Sequence, residues 1–182
     1  MRISTKRVLK ILLVLSWIIF VGVCIEAGGC IFSAFYTLVI NPVNAAHFWA
    51  QNDLSALYSY DRGHFFAETL LISIASVLKA CMFYLILKIL HEKKLDMSQP
   101  FSKEVGGFIS KVSYLAFGIG LFTWWGVKYT EWLSGKGIPM PDTQHLHLGG
   151  ADVWLFMAVT LFVIAQIFKR GIEIQTENEL TI

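Results

Sequence analysis

The fold is decided by a long apolar stretch near the start of the chain, Val8–Ile40, which reads VLKILLVLSWIIFVGVCIEAGGCIFSAFYTLVI. About 20 apolar residues in a helix suffice to cross the hydrocarbon core of a bilayer. The stretch is therefore long enough to span a membrane and to continue beyond it. Two interpretations of its length are open: the helix tilts and emerges from the bilayer, or it breaks at Ala27-Gly28-Gly29.

Three further apolar segments follow, at 67–90, 108–133 and 153–168. A helix in lipid satisfies its own backbone hydrogen-bonding groups, so each segment is predicted to be a transmembrane helix. The composition agrees, because 15% of the residues are charged, where a soluble domain carries about 25%. We predict a single all-α domain over residues 1–182, a polytopic membrane protein built as a four-transmembrane-helix bundle, with its first span at 8–40.

Positive charge is concentrated on one side of these spans. Eleven lysine and arginine residues precede the first span, surround the link between the second and third, or follow the fourth: Arg2, Lys6, Arg7, Lys10, Lys88, Lys93, Lys94, Lys103, Lys111, Lys169 and Arg170. The opposite side holds Arg62, Lys128 and Lys136. Cytoplasmic loops carry the excess of such residues. The pattern therefore predicts an inner-membrane protein with both termini and the middle link in the cytoplasm, and loops 41–66 and 134–152 facing outward.

A basic start followed by an apolar stretch is also typical of a secretory signal peptide, and Ala27 could precede a cleavage point. However, strong hydrophobicity resumes over Ile31–Ile40. We therefore expect the first segment to remain in the protein as an uncleaved anchor.

The link between the second and third spans contains Pro100, which disfavours a helical conformation in the residue before it. The second span is therefore expected to end near His91. Ser102 is a suitable N-cap for the helix that leads into the third span. The tail, 169–182, is mixed in charge and is interpreted as a cytoplasmic extension of the fourth span, with an orientation along the bilayer surface as an alternative.

Glu26 and Lys79 are ionisable residues inside predicted spans. An ionised side chain at the bilayer centre costs on the order of 3 kcal/mol. Counted from Lys10 and Lys88, the two groups differ in depth by about 10 Å. This favours Glu26 near the outer interface and Lys79 facing the bundle interior. A direct or water-linked ion pair is an alternative, and an ion or proton route is another.

Four of the five histidines lie in the outward-facing loops, together with four aspartates: His47, His64, His145, His147, Asp53, Asp61, Asp142 and Asp152. Imidazole and carboxylate groups together can bind zinc or copper. The four histidines are therefore candidate metal ligands, although no metal-binding motif relates their spacing. The alternative is that they are ordinary amphipathic residues near the membrane interface. No other cofactor is predicted.

The sequence contains no His-Glu-x-x-His, Gly-x-Ser-x-Gly or Walker-type motif, so we expect no enzymatic activity. A basic patch interleaved with aromatic residues, as a nucleic-acid surface needs, is also absent from it. The lipid bilayer is thus the one partner that the sequence itself indicates. It leaves the oligomeric state open.

Two stretches predicted to be cytoplasmic carry a family resemblance. They are Gln99–Glu104 (QPFSKE) and Phe168–Gln175 (FKRGIEIQ), the second closing with Glu177–Ile182 (ENELTI). With the four spans, they resemble a bacterial membrane family known as domain of unknown function 2975. The resemblance is expected to cover essentially the whole chain. It implies a four-span inner-membrane protein without an assigned reaction, and it carries no catalytic residues.

Some members of that family are encoded beside small helix-turn-helix regulators, which implies a regulatory role. The leading hypothesis is a non-enzymatic regulatory or accessory protein acting through a partner at its cytoplasmic link and tail. The alternative is an extracytoplasmic metal-binding or small-ligand-binding protein, or a transporter component, that uses the histidines of the outer loops.

The orientation can be tested with reporter tags. Tags fused to the two ends of the chain should both report the cytoplasm, since the cations flank the spans on that side. Protease protection in intact and opened membrane vesicles provides the measurement. Tags in opposite compartments would contradict the four-span arrangement.

Overall fold

The computed structural model describes residues 5–92 and 102–179, which form helices and connecting turns without a β-strand. The helices are α1 (Thr5–Val39), α2 (Ser55–Tyr60), α3 (Arg62–His91), α4 (Lys103–Gly135) and α5 (Ala151–Glu179). All except the short α2 are long and apolar enough to cross a membrane. The prediction of an all-α four-helix membrane bundle is thus confirmed. We call the end that carries 40–61 and 136–150 the loop side, and the opposite end the termini side.

α1 is continuous through Ala27-Gly28-Gly29, so the alternative of a helix break there is wrong. Gly29 has a packing role, because a side chain there would collide with the indole of Trp49 from the following loop. The helix therefore runs unbroken past the bilayer thickness and meets the loops above it. α5 likewise continues without a break beyond the predicted span, as far as Glu179.

Polar side chains cap the starts of α3 and α4. Ser102 accepts a hydrogen bond from the backbone N–H of Val105 at 3.2 Å, as the sequence predicts, and α3 ends at His91. Asp61 begins α3 by accepting one from the N–H of His64 at 2.9 Å. Residues 93–101 lie outside the described residues, and so do Pro100 and the Gln99–Phe101 part of the first family-like stretch.

Within the described residues, the long helices pack in chain order, α1 against α3, α3 against α4, and α4 against α5. α3 and α4 occupy the middle, and their contacts use small and hydroxyl residues, as is usual for helices in lipid. The Ser113 hydroxyl donates to the carbonyl of Ala158 at 2.9 Å. A Cβ at Gly120 would lie 2.8 Å from Cγ of Leu155. These close contacts set the register of α4 and α5.

The loop-side ends of α4 and α5 lie at different levels. Fifteen residues of α4 follow Gly120, whereas four residues of α5 precede Leu155, so α4 extends about 16 Å further toward the loop side. The chain must therefore descend along the bundle from the end of α4 to the start of α5. Segment 136–150 makes this descent and fills the place beside α4 that α5 leaves open.

The two loops and the loop-side helix ends share one apolar cluster. Its buried members are Cys30, Ala45, Phe48, Leu54, Leu57, Phe65, Ile72, Leu133, Ile138, Leu146 and Leu148. Leu148 is fully buried, and a side chain at Gly126 would collide with it. Both loops are therefore folded caps on the bundle.

Two glycines of α4 provide a matched test of the helix packing. Gly120→Ala should destabilise the bundle, because overpacking costs about 1–3 kcal/mol, more than the roughly 0.5–1 kcal/mol that alanine gains over glycine in a helix. Gly107→Ala should be neutral or stabilising, since a Cβ at Gly107 meets nothing within 4 Å. Thermal unfolding in detergent measures both. Equal effects of the two changes would contradict the close approach of α4 and α5.

Candidate functional site

A polar cluster lies where α1, α3 and segment 136–150 meet. Glu26 Oε1 is 3.8 Å from the ammonium of Lys79 and 3.5 Å from Nδ1 of His147. The hydroxyl of Ser76 is 3.5 Å from the same oxygen. These distances exceed the roughly 2.7–2.9 Å of a direct charge-assisted hydrogen bond, so the contact with Glu26 is mainly electrostatic. The structure thus brings both intramembrane charges and one of the four candidate histidines together.

The expected difference in depth between Glu26 and Lys79 is wrong because α1 and α3 do not end at the same level. The rings of Phe20 and Tyr84 lie beside each other, with centroids 6.4 Å apart. Lys10 lies ten residues from Phe20, and Lys88 lies four residues from Tyr84. Lys10 is therefore about 9 Å further toward the termini side than Lys88. This offset cancels almost all of the depth difference, so Glu26 and Lys79 are neighbours.

Lys79 also holds the descending segment. Its ammonium donates to the backbone carbonyl of His147 at 3.0 Å. The backbone of His147 has φ of 59°, in the left-handed region, which is uncommon for residues other than glycine. Irregular backbone at membrane depth is tolerated where protein covers it and its polar groups are satisfied. Lys79 therefore supplies both a counter-charge for Glu26 and a hydrogen bond for this segment.

Depth along the helices explains why the charge of Lys79 needs such contacts. Because Gly120 lies beside Leu155, the start of α5, four residues before Leu155, is level with Trp124 of α4. Trp124 and Trp125 are about half exposed, as residues of an interfacial belt are. Leu78 packs against Gly118, six residues below Trp124. The backbone of Lys79 therefore lies about 9 Å inside that level.

A second cluster was not predicted from the sequence. Glu68 on α3 is fully buried, and its Oε1 lies 2.6 Å from the hydroxyl of Thr130 on α4. Its other oxygen, Oε2, has no hydrogen-bond partner among the described residues. The sequence signal was a carboxylate at the second position of the apolar segment 67–90, where it could equally have faced water.

His64 lies one helical turn before Glu68, at the loop-side end of α3. Its Nδ1 is 2.6 Å from the hydroxyl of Tyr129. The imidazole also stacks on the ring of Tyr60, and the ring of Trp132 meets it edge-on. His64 is thus held among aromatic rings at the junction of α3 and α4.

His145 and His47 lie elsewhere on the loop side. His145 lines an open groove of about 410 Å³ together with Asp53 and Asp142. The hydroxyl and backbone N–H of Ser55 donate to Asp53 at 2.6 and 2.9 Å, and with nearby His47 they lower the pKa of that carboxyl. Asp53 is therefore already engaged by its own turn.

The metal hypothesis stays a prediction for His47, His64, His145 and His147. Over residues 5–92 and 102–179, no group of three or more histidine, cysteine, aspartate or glutamate side chains is placed to hold a metal ion. The pairs that the structure does form are His147 with Glu26 and His64 with Tyr129. Each of these imidazoles is thus in contact with another protein group.

These features define the class of protein: an all-α membrane protein of four spans, capped by two folded loops on one side. More particularly, the chain belongs to the family described as "Protein of unknown function (DUF2975)", whose model matches residues 40–182. The match begins directly after α1, so it is shorter than the whole-chain resemblance that was expected. Comparisons with curated proteins and with solved structures gave no match.

A double-mutant cycle tests the polar cluster. Glu26→Leu or Lys79→Met alone should destabilise the protein by on the order of 3 kcal/mol, since each leaves one charge without its counter-charge at membrane depth. The double variant should recover part of that loss in thermal unfolding. Strictly additive losses would contradict the pairing.

The same variants separate the ion pair from the anchoring of the loop. Lys79→Met should also increase protease cleavage within 136–150, because it removes the hydrogen bond to the carbonyl of His147. Glu26→Leu leaves that bond in place and serves as the control. Equal cleavage of the two variants would argue against the anchoring role of Lys79.

Proposed function

We propose that this protein is a non-enzymatic regulatory or accessory protein of a bacterial inner membrane, with both termini in the cytoplasm. It acts through a protein partner that binds on the termini side, at the link and the tail. The observation that carries the proposal is the convergence on that side of two family-like stretches, which are far apart in the sequence.

The start of α4 and the end of α5 pack closely at this convergence. A Cβ at Gly106 would lie 3.4 Å from Cδ1 of Ile172 and 3.8 Å from Cβ of Phe168. Beside this contact is a groove of about 380 Å³, with lysines from both helices and apolar and amide groups between them: Lys103, Gly106, Gly107, Ser110, Ala165, Gln166, Lys169, Ile172 and Glu173. The described parts of both stretches therefore contribute to one surface.

α5 extends beyond this contact. Seven residues of α5 follow Ile172, whereas three residues of α4 precede Gly106, so α5 extends about 6 Å further on the termini side. The turns of α5 beside the start of α4 carry an ion pair between Arg170 and Glu173 at 3.0 Å and an exposed apolar residue, Ile174. A helix end with both charged and apolar groups is a suitable surface for a protein partner.

The contacts on the loop side support a non-enzymatic role. Lys79 holds a backbone carbonyl, His64 is bonded to Tyr129, and Asp53 is bonded within its own turn. These side chains, which could have served in catalysis, thus stabilise the caps. The concentration of lysine and arginine on the termini side supports its placement in the cytoplasm.

Site-specific photocrosslinking in living cells tests the proposal. A photoreactive residue at Ile174 should crosslink to a protein, because this position is exposed on the termini-side surface. The matched control is Ile167 on the same helix, which is also exposed but lies within the apolar span and should contact lipid. Mass spectrometry then identifies the partner. The proposal fails if Ile174 captures no protein, or if both positions capture the same proteins equally.

A further inference from the structure

Glu68 is an ionisable group buried in the loop-side half of the bundle. Its side chain has 0% exposure, and the hydrogen bond that the structure gives it is with Thr130. An ionised carboxylate has two oxygens that need donors, and burying it without them costs far more than burying a neutral group. Here one oxygen has a single hydroxyl beside it and the other has no partner among the described residues.

The hydroxyl of Thr130 has one proton and two acceptors within reach. Its oxygen lies 2.6 Å from Oε1 of Glu68 and 3.0 Å from the carbonyl oxygen of Gly126. A hydroxyl donates once and can accept twice. If Glu68 carries a proton on Oε1, that proton is donated to Thr130, and Thr130 donates to Gly126. Both hydrogen bonds are then made at once, and no charge is buried.

We propose that Glu68 is a proton-binding site, a neutral carboxylic acid whose Oε1–H donates to the hydroxyl of Thr130. The distance of 2.6 Å between Oε1 of Glu68 and the hydroxyl oxygen of Thr130 is typical of a strong O–H···O hydrogen bond. The unpartnered Oε2 is then the carbonyl oxygen of a neutral acid, which is far cheaper to bury than a carboxylate oxygen. The site is independent of the protein partner proposed above.

The surroundings of Glu68 offer no cationic partner within the described residues. The titratable groups around it are Tyr129 from α4, and His64 and Asp61, which precede it by one and two turns on α3. Segment 136–150 contributes the apolar Leu148, seated against Gly126. A carboxyl group that is fully buried without a lysine or arginine beside it is favoured in its protonated form.

The position of the site determines which compartment exchanges the proton. Thr130 lies six residues beyond Trp124 on α4, so the site is about 9 Å outside the level at which α5 begins. The half-buried His64 lies one turn nearer the loop-side end of α3. The proton is therefore exchanged with the loop side, under the cap that both loops form.

Infrared spectroscopy of the full chain in lipid nanodiscs tests the assignment. With ¹³C-labelled glutamate, the wild-type protein at neutral pH should show the carbonyl stretch of a protonated carboxylic acid. Glu68→Gln should lose this band, whereas Glu131→Gln, which changes an exposed glutamate paired with Lys128, should keep it. A wild-type spectrum with carboxylate bands alone would overturn the proposal.

Variants of both partners distinguish a protonated acid from a carboxylate by stability. Glu68→Gln should fold with a melting temperature at neutral pH close to that of the wild type, because an amide N–H can replace the acid O–H toward Thr130. Thr130→Ser should keep the infrared band in place, and Thr130→Val should shift it toward that of a free acid. Failure of Glu68→Gln to fold, or a band unaffected by Thr130→Val, would count against the site.

Discussion

The offset between α4 and α5 is the constraint on which the loop-side structure depends. Gly120 packs so closely on Leu155 that α5 must begin well below the end of α4. The chain between them therefore passes down into the bundle, where water cannot satisfy its backbone. Lys79 donates to the carbonyl of His147, and Leu146 and Leu148 fill the apolar space. The hydrogen bond from Lys79 to this segment thus explains why a charged residue lies within a span.

The two sides of the bundle differ in the way they use polar groups. On the loop side, polar side chains are directed inward, as in the contacts of Glu26, Glu68 and His64. On the termini side, the lysines and Glu173 line an open groove, and the Arg170–Glu173 pair is exposed near the end of α5. The first arrangement stabilises a cap and encloses the proposed proton site at Glu68, and the second presents a surface. This difference supports placing a partner on the termini side.

Much of the candidate site could not be predicted from the sequence, because the sequence gives the depth of a residue only within its own span and not relative to the other helices. Glu26 and Lys79 were singled out as charges within predicted spans, and the structure places them 3.8 Å apart. Their contact depends on the relative levels of α1 and α3, which are fixed by side-chain packing such as that of Phe20 on Tyr84. Glu68 was missed because a carboxylate near the end of an apolar segment has the same sequence signature whether it faces water or Thr130. The groups around His64 and His147 likewise come from distant parts of the chain.

The sequence by itself determined the class, the number of spans and their order. These depend on local properties: apolar length, the self-sufficient hydrogen bonding of a helix, and caps such as Ser102. The continuity of α1, the descent of 136–150 and the burial of Glu68 were decided by the tertiary structure alone. They depend on how closely one element of the chain packs against another. Small residues such as Gly29, Gly120 and Gly126 allow such close packing, but the sequence does not specify which residue packs against them.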